Sequence, residues 1–365
     1  MSALRLPALA LLAALLPSLA HAETRVGFAA PLSGPVAAVG EHLRRGAEQA
    51  VADINAAGGV LGEKLALTVA DDAGVANQAV AVANRLVTGG AVMVVGHLQT
   101  GTTIPASRVY AEEGVVVITP TASSPEVTAG GLDTVFRTCG RDDQQGEVAG
   151  AWLARQYKGR KVALVHDQTT YGKGLADAVK AAMNRQGLTE ALYGSLTSGE
   201  RDFTALVTRL KAAEVDAVFF GGVYADAGLL VRQAREAGLA AQFVSGDTLA
   251  TDEFWAIAGE AGEGLLMTYG ADVLGGTAAR DVVARFRAAG YDPAPYALYS
   301  YAALQVWAQA AEKAKSTDGP KVAAALRQGE YQTVLGPISY DSRGDRTKAD
   351  YVMYRWSKGR FAPLP

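Results

Sequence analysis

The chain has 365 residues, 49% of them hydrophobic and 19% charged, with a formal net charge of −3 and a single cysteine. A slightly acidic balance with no basic patch argues against a nucleic-acid partner. The lone Cys139 excludes an intrachain disulfide and reads as a small, partly buried residue, not a reactive thiol.

The first 22 residues read as an export signal. Arg5 precedes an apolar run from Leu6 to Leu19, and Ala20-His21-Ala22 is a small-x-small cleavage pattern. The run is too short to favour a membrane anchor, and no cysteine follows it to accept a lipid. The expected mature chain starts at Glu23, is exported and soluble, and carries a net charge of about −4 once Arg5 is gone. Its length exceeds what one hydrophobic core usually organises, so two domains are expected.

Strand-like runs follow at Val26 to Ala30, Leu65 to Ala70, Ala91 to Val95 and Val115 to Ile118. Four more lie at Lys161 to Val165, Ala217 to Phe220, Gln242 to Val244 and Leu265 to Thr268. Several are apolar on both faces, as strands inside a parallel sheet should be. Between them run amphipathic helices. Leu43, Ala47, Ala50, Val51 and Ile54 share one stripe, stopped by Gly58-Gly59. Leu175, Val179, Ala182 and Met183 share another, and Phe203, Leu206, Val207 and Leu210 a third, behind a possible cap at Asp202. Strand–helix alternation that restarts near residue 140 predicts an α/β chain of two doubly wound lobes. Ala278 to Gln328 is helix-rich.

Two hydroxyl-rich loops stand directly after apolar strands: Gly96 to Thr103, and Thr119 to Pro125. Hydroxyls and free N–H groups at strand ends hold a small anion without carrying charge, and in a parallel sheet both loops open into one crevice. Residues from Thr102 onward read as helical, which puts Thr100 near a helix N-terminus that also favours an anion. By residue type alone, these hydroxyls could equally bond nearby backbone. Metal and enzyme signatures are missing. No histidine has a metal-ligand partner at helical spacing, and there is no nucleophile elbow, phosphate-binding glycine loop or dinucleotide fingerprint. His97 and His166 each end a strand and read as structural. Asp341 to Asp345 reads as a turn, not a calcium loop.

Several segments carry a resemblance that runs through the whole mature chain in one order. They include Gly34-Pro-Val-Ala, Gly46-Ala-Glu-Gln-Ala-Val-Ala-Asp-Ile-Asn55, Asp71-Asp-Ala, Gly96-His-Leu, Ile118-Thr-Pro, His166-Asp, Tyr171-Gly, Gly221-Gly, Arg232-Gln-Ala and Gly336-Pro337. The chain resembles the bacterial Leu/Ile/Val-binding proteins, the substrate-binding components of branched-chain amino acid ABC transporters. The resemblance implies a type I periplasmic binding fold: two Rossmann-like lobes joined by a three-crossover hinge, with residues 23–141 and 271–346 in one and 142–270 and 347–365 in the other. It implies a monomer that delivers an amino acid to an inner-membrane permease, with no cofactor, no metal and no catalysis.

The resemblance also implies site roles. Thr100 and Ser123 match hydroxyl residues on the ligand carboxylate, and Thr121 a position giving backbone contacts. Leu98 matches a carbonyl on the ammonium, Tyr171 a ring that closes over the ligand, and Asp247 a Glu that pairs with the ammonium. Val39 and Val223 stand where aromatic residues line the side-chain pocket, and Tyr296 matches a Phe. Gly74 and Gln99 replace two cysteines that form a disulfide in relatives. A wider pocket would follow, with Leu or Phe preferred over Val. The residues leave open a different small carboxylate or amide, such as an aromatic acid or a γ-amino acid, and a ligand-sensing domain. No membrane or signalling segment after Pro365 is apparent, which favours a transport protein.

Overall fold

Strands that are apolar on both faces become the interiors of two largely parallel sheets in a computed structural model, which describes residues 23–270, 273–348 and 351–364. The export-signal reading concerns residues outside that range. In the first sheet, β1 (Glu23–Ala30), β2 (Lys64–Asp71), β3 (Met93–Gly96), β4 (Val116–Thr119) and β5 (Val135–Arg137) run parallel in the order β2-β1-β3-β4-β5. The intervening helices are α1 (Ala37–Ala56), α2 (Ala76–Thr88), α3 (Thr100–Glu112) and the short α4 (Glu126–Ala129). Every residue of β3 and β4 is buried, as a strand covered on both faces requires.

The second unit opens with α5 (Asp142–Gln156) and continues through β6 (Val162–His166), α6 (Thr170–Arg185), β7 (Leu192–Ser195), α7 (Thr204–Ala212), β8 (Ala217–Gly221), α8 (Tyr224–Glu236), β9 (Gln242–Ser245), α9 (Asp252–Ala258) and β10 (Leu266–Gly270). The chain then returns to the first sheet with α10 (Arg280–Ala288), α11 (Pro295–Ala314), α12 (Gly319–Gln328) and the hairpin β11 (Glu330–Thr333) and β12 (Gly336–Ser339). There α11 packs on α1, β3 and β4, and α12 on β4. A last crossing adds β13 (Tyr351–Ser357) and β14 (Arg360–Pro363) antiparallel to the edge at β10, giving the order β14-β13-β10-β9-β8-β6-β7. Two doubly wound lobes thus exchange the chain three times. The helical stripes face inward as expected: Leu43, Ala47 and Ala50 on α1 and Leu175, Val179, Ala182 and Met183 on α6 are buried. The N-cap position of α7 is Phe203, without a side-chain cap; Asp202, one residue earlier, accepts the Thr204 N–H at 2.9 Å in the turn that leads into the helix.

Ionic contacts tie the crossovers together. Asp345, just before the last crossing, lies 2.7 Å from Arg137 and 3.0 Å from Arg141, which flank the first. The Asp341 to Asp345 segment is a turn, with the Asp341 carboxylate accepting the N–H groups of Arg343 and Asp345 at 2.9 Å. Arg137 is fully buried and also donates to the carbonyls of Ala122 and Ser124, at 2.9 and 3.0 Å. A buried charge of this kind is tolerable only when fully paired. Here it fixes the loop after β4.

Candidate functional site

On the first lobe, the two hydroxyl-rich loops are joined to each other. Thr119 donates to the His97 carbonyl at 2.8 Å and Thr121 to the Leu98 carbonyl at 2.7 Å. His97 is fully buried between Asp72, 2.5 Å from Nδ1, and the Tyr110 hydroxyl, 3.1 Å from Nε2. Both ring nitrogens have partners, so His97 holds the loop in shape and does not face a ligand. Thr100 is the first residue of α3, where backbone N–H groups have no partner inside the helix. Its hydroxyl is buried and unpartnered among the described residues, as is that of Ser123. A buried hydroxyl left unbonded is costly unless something else completes it.

On the second lobe, the contributing groups sit at the carboxyl ends of parallel strands. Tyr171 enters α6 after β6, Val223 and Tyr224 follow β8, and Asp247 and Thr248 follow β9. The start of α6 lies so close to β8 that a Cβ on Gly172 would stand 2.5 Å from the Gly221 carbonyl oxygen. A Cβ on Gly246 would stand 2.6 Å from the Tyr171 hydroxyl, so glycine there lets Tyr171 donate to the Asp247 carboxylate at 2.9 Å. Gln145 of α5 accepts from the Asp247 N–H at 2.8 Å and from the Thr268 hydroxyl at 2.6 Å.

Two buried carboxyl groups approach each other here. Burial, and then the Asp247 charge, pushes Asp142 up to about 8. Burial pushes Asp247 up to about 6, opposed by hydrogen bonds from Tyr171 and Gln145. Like charges in a low-dielectric site do not both ionise easily. At neutral pH Asp142 therefore keeps its proton and Asp247 carries the charge. Burial and the Asp247 charge also hold Tyr171 well above its ordinary range, so it remains a donor. Burial raises Cys139 to about 12, and the thiol is unreactive.

The lobes meet around a cavity of about 300 Å³. Of the residues predicted from sequence, Leu98, Thr100, Thr121, Tyr171, Asp247, Val39, Val223 and Tyr296 all line it. Ser123 does not. It is fully buried behind the wall, its hydroxyl against the Asp142 carboxyl without a formed hydrogen bond. The cavity lining combines apolar Val36, Val39 and Val223 with polar Thr100, Tyr171 and Asp247. Contacts cross the cleft: the Tyr296 hydroxyl donates to the Asp247 carbonyl at 2.6 Å, and that of Tyr224 to the Pro35 carbonyl at 3.0 Å. His42 Nε2 lies 3.4 Å from Glu253. Gly74 and Gln99 are spatial neighbours, since a Cβ on Gly74 would lie 2.5 Å from the Gln99 side-chain oxygen.

Sequence reasoning missed Asp142, Gln145, Val36, Thr248 and the Gln168 to Thr170 segment. A carboxylate in the first turn of a helix is so common a cap that Asp142 gave no separate signal. Among the described residues no group of three or more His, Cys, Asp or Glu side chains is placed to hold a metal ion, and no helix is long and apolar enough to cross a membrane.

Known proteins share this organisation. A family model described as periplasmic binding protein matches residues 23–360. A Leu/Ile/Val-binding protein homolog of Brucella melitensis is 47% identical over 341 residues, 93% of this chain and 92% of its own length. An amino acid binding protein of Pseudomonas aeruginosa is 49% identical over 350 residues, 95% of this chain and 94% of its own. Among solved structures, the branched-chain amino acid transporter substrate-binding protein of Streptococcus pneumoniae, in complex with isoleucine, superposes with a TM-score of 0.85 at 26% identity, covering 93% of this chain and 98% of that one.

Proposed function

The chain belongs to the periplasmic binding protein family, and from that membership we propose that it is the substrate-binding component of an ABC transporter for a hydrophobic or branched-chain L-amino acid. It takes the ligand between two closing lobes and delivers it to an inner-membrane permease. The observation that carries this reading is the division of one cavity into an uncharged anion cradle on one lobe and a single ionised carboxylate, Asp247, on the other. Thr100, the N-terminus of α3 and the Thr121 backbone take the ligand carboxylate. Ser123 supports that end from behind, through its contact with the protonated Asp142. The Leu98 carbonyl keeps one lone pair free of Thr121, and this lone pair joins Asp247 on the ammonium. Tyr171 closes over the ligand. The side chain points to Val36, Val39 and Val223, with Tyr296 across the cleft.

Closure follows from differential affinity: only the closed state brings the carboxylate cradle and Asp247 onto one molecule. Hinge closure around a ligand is a general mode of this class of protein. On this reading residues 23–141 with 271–346, and 142–270 with 347–365, form the two lobes. The chain is exported, is cleaved after Ala22, and works as a monomer without cofactor. An acid lacking an ammonium would leave Asp247 facing nothing positive, which disfavours an aromatic-acid binder. Relatives named for leucine, isoleucine and valine set the ligand class, and the short side chains at Val39 and Val223 leave room for Leu or Phe.

A thermal-shift panel of the twenty amino acids and small organic acids tests it. A ligand at about a hundredfold its dissociation constant adds roughly 2.7 kcal/mol of stability, a rise of several degrees. Shifts with leucine, isoleucine and phenylalanine, larger than with valine, are expected. A shift only with acids that lack an ammonium would contradict the proposal.

A further inference from the structure

The amino-acid cavity ends, on the hinge side, at the bar made by the Tyr296 hydroxyl and the Asp247 carbonyl. Behind that bar lies a second cavity of about 240 Å³. All three crossovers contribute to its wall, through Cys139, Gly270 and Lys348. Its body is aromatic: Tyr269 meets Tyr296 and Tyr299 edge-on, at ring separations of 6.0 and 6.3 Å, and Tyr351 also lines it. Leu335, at the tip of the β11–β12 hairpin, adds an apolar surface.

Two cations line this wall, Arg346 and Lys348, and Asp247 lines it as well; no ion pair joins them among the described residues. Arg346 lines the cavity and spends Nη1 on the Thr138 carbonyl, at 2.8 Å. Its Nε is buried without a partner, and among the described residues Arg346 forms no ion pair. The neighbouring Asp345 is already taken by Arg137 and Arg141. Arg346 is partly buried, but its Nε is shut off from water, and the edge that carries Nε is the one a carboxylate takes in a forked pair. Around it, tyrosine rings offer faces and edges for an aromatic or apolar body.

We propose that this hinge cavity is a second small-molecule site, which takes a small monocarboxylate with an aromatic or apolar body, its carboxylate on Arg346 and its body among Tyr269, Tyr299 and Tyr351. The site adjoins the amino-acid cavity, sharing Thr121, Asp247 and Tyr296 with it, but the role of Arg346 does not depend on how that cavity is read. Because the crossovers form its wall, an occupant touches the segments that move when the lobes close.

Calorimetric titration of phenylacetate into the full mature protein, with and without saturating leucine, tests this. Phenethylamine, with the same body and opposite charge, serves as control. The expected result is phenylacetate binding that persists with leucine bound and exceeds phenethylamine binding by at least about tenfold. Arg346→Met should weaken phenylacetate by at least about tenfold while leucine affinity stays within roughly twofold of the parent. Leu335→Trp, which fills the cavity with a larger side chain, should do the same and covers the case in which Arg346→Met does not fold. Displacement of leucine by phenylacetate, equal or tighter binding of the amine, or phenylacetate affinity unchanged in the variants that fold would overturn the proposal. Leucine binding without any phenylacetate binding would sink this site alone. Phenylacetate binding without leucine binding would sink the amino-acid reading alone.

Discussion

The two lobes share an architecture but divide the chemistry of the cleft unequally. The first lobe offers hydroxyls, backbone and a helix N-terminus, held by an internal frame of His97, Asp72, Thr119 and the fully buried Arg137. The second offers Tyr171 and a carboxyl, Asp247, that burial keeps close to titration. An uncharged cradle costs less to leave empty than a charge does, since its buried hydroxyls forgo a bond but carry no charge. A buried carboxylate is expensive to leave unpaired. On the proposed reading, setting the charge on one lobe and the anion cradle on the other makes closure depend on a molecule that carries both an ammonium and a carboxylate.

The largest effect expected from breaking this division comes from the charged side. Asp247→Ala should weaken leucine binding by about 2–5 kcal/mol, read by calorimetry, as for loss of one partner of a buried charge pair. Removing a cradle hydroxyl should cost less. Thr100→Val should lose about 1.5–3 kcal/mol of binding. Its ligand-free melting point should hardly move, because that hydroxyl makes no bond in the protein itself. A large drop in melting point would show that the hydroxyl is structural.

Acidity sharpens the same contrast. Asp247 is raised to about 6, so its charge is lost as pH falls below that value, and leucine affinity should drop by up to about tenfold per pH unit there while staying flat from about 7 to 8. The stability of the ligand-free protein runs the other way. Asp142 at about 8 and Asp247 at about 6 both lie above the ordinary 3.8, so the folded state binds more protons than the unfolded one. Their contribution is fully present below about 4 and is lost as pH rises towards 8. Melting curves from pH 5 to 8, with and without leucine, should therefore diverge as pH rises.

The smallest effect belongs to the rim. His42 of α1 and Glu253 of α9 meet across the cleft, and hydrogen bonding to His42 is the first cause that holds Glu253 at about 2. Half-exposed pairs of this kind contribute about 0–1 kcal/mol. His42→Ala should weaken leucine binding a few-fold at most and leave ligand selectivity unchanged.

Much of this site could be read in the sequence because its groups follow strands that announce themselves. Val94, Val95, Val117 and Ile118 are apolar at consecutive positions, so the hydroxyl-rich loops after them had a defined place. Strands β5 and β7, three and four residues long, are too short for a period, and β13 and β14 pair with an edge set by distant residues. Asp142 and Gln145 looked like ordinary first-turn residues of α5, and only the fold brings them against Asp247. The hinge cavity was invisible for the same reason, since its wall joins residues from Pro120 to Tyr351. Ser123 shows the limit of carrying a role over by position: its hydroxyl is unpartnered, but it lies behind the wall rather than in it.

The claim that Asp247 faces a ligand ammonium can be tested with one molecule. 4-Methylpentanoate is leucine without its amino group, so it keeps the carboxylate and the side chain and removes only what Asp247 would pair with. In competition against leucine at pH 8, it should displace leucine at least about a hundredfold less well than leucine displaces itself, a difference of roughly 2.7 kcal/mol. Equal displacement would show that the cleft does not read the ammonium, and the two-lobed division of charge would fall.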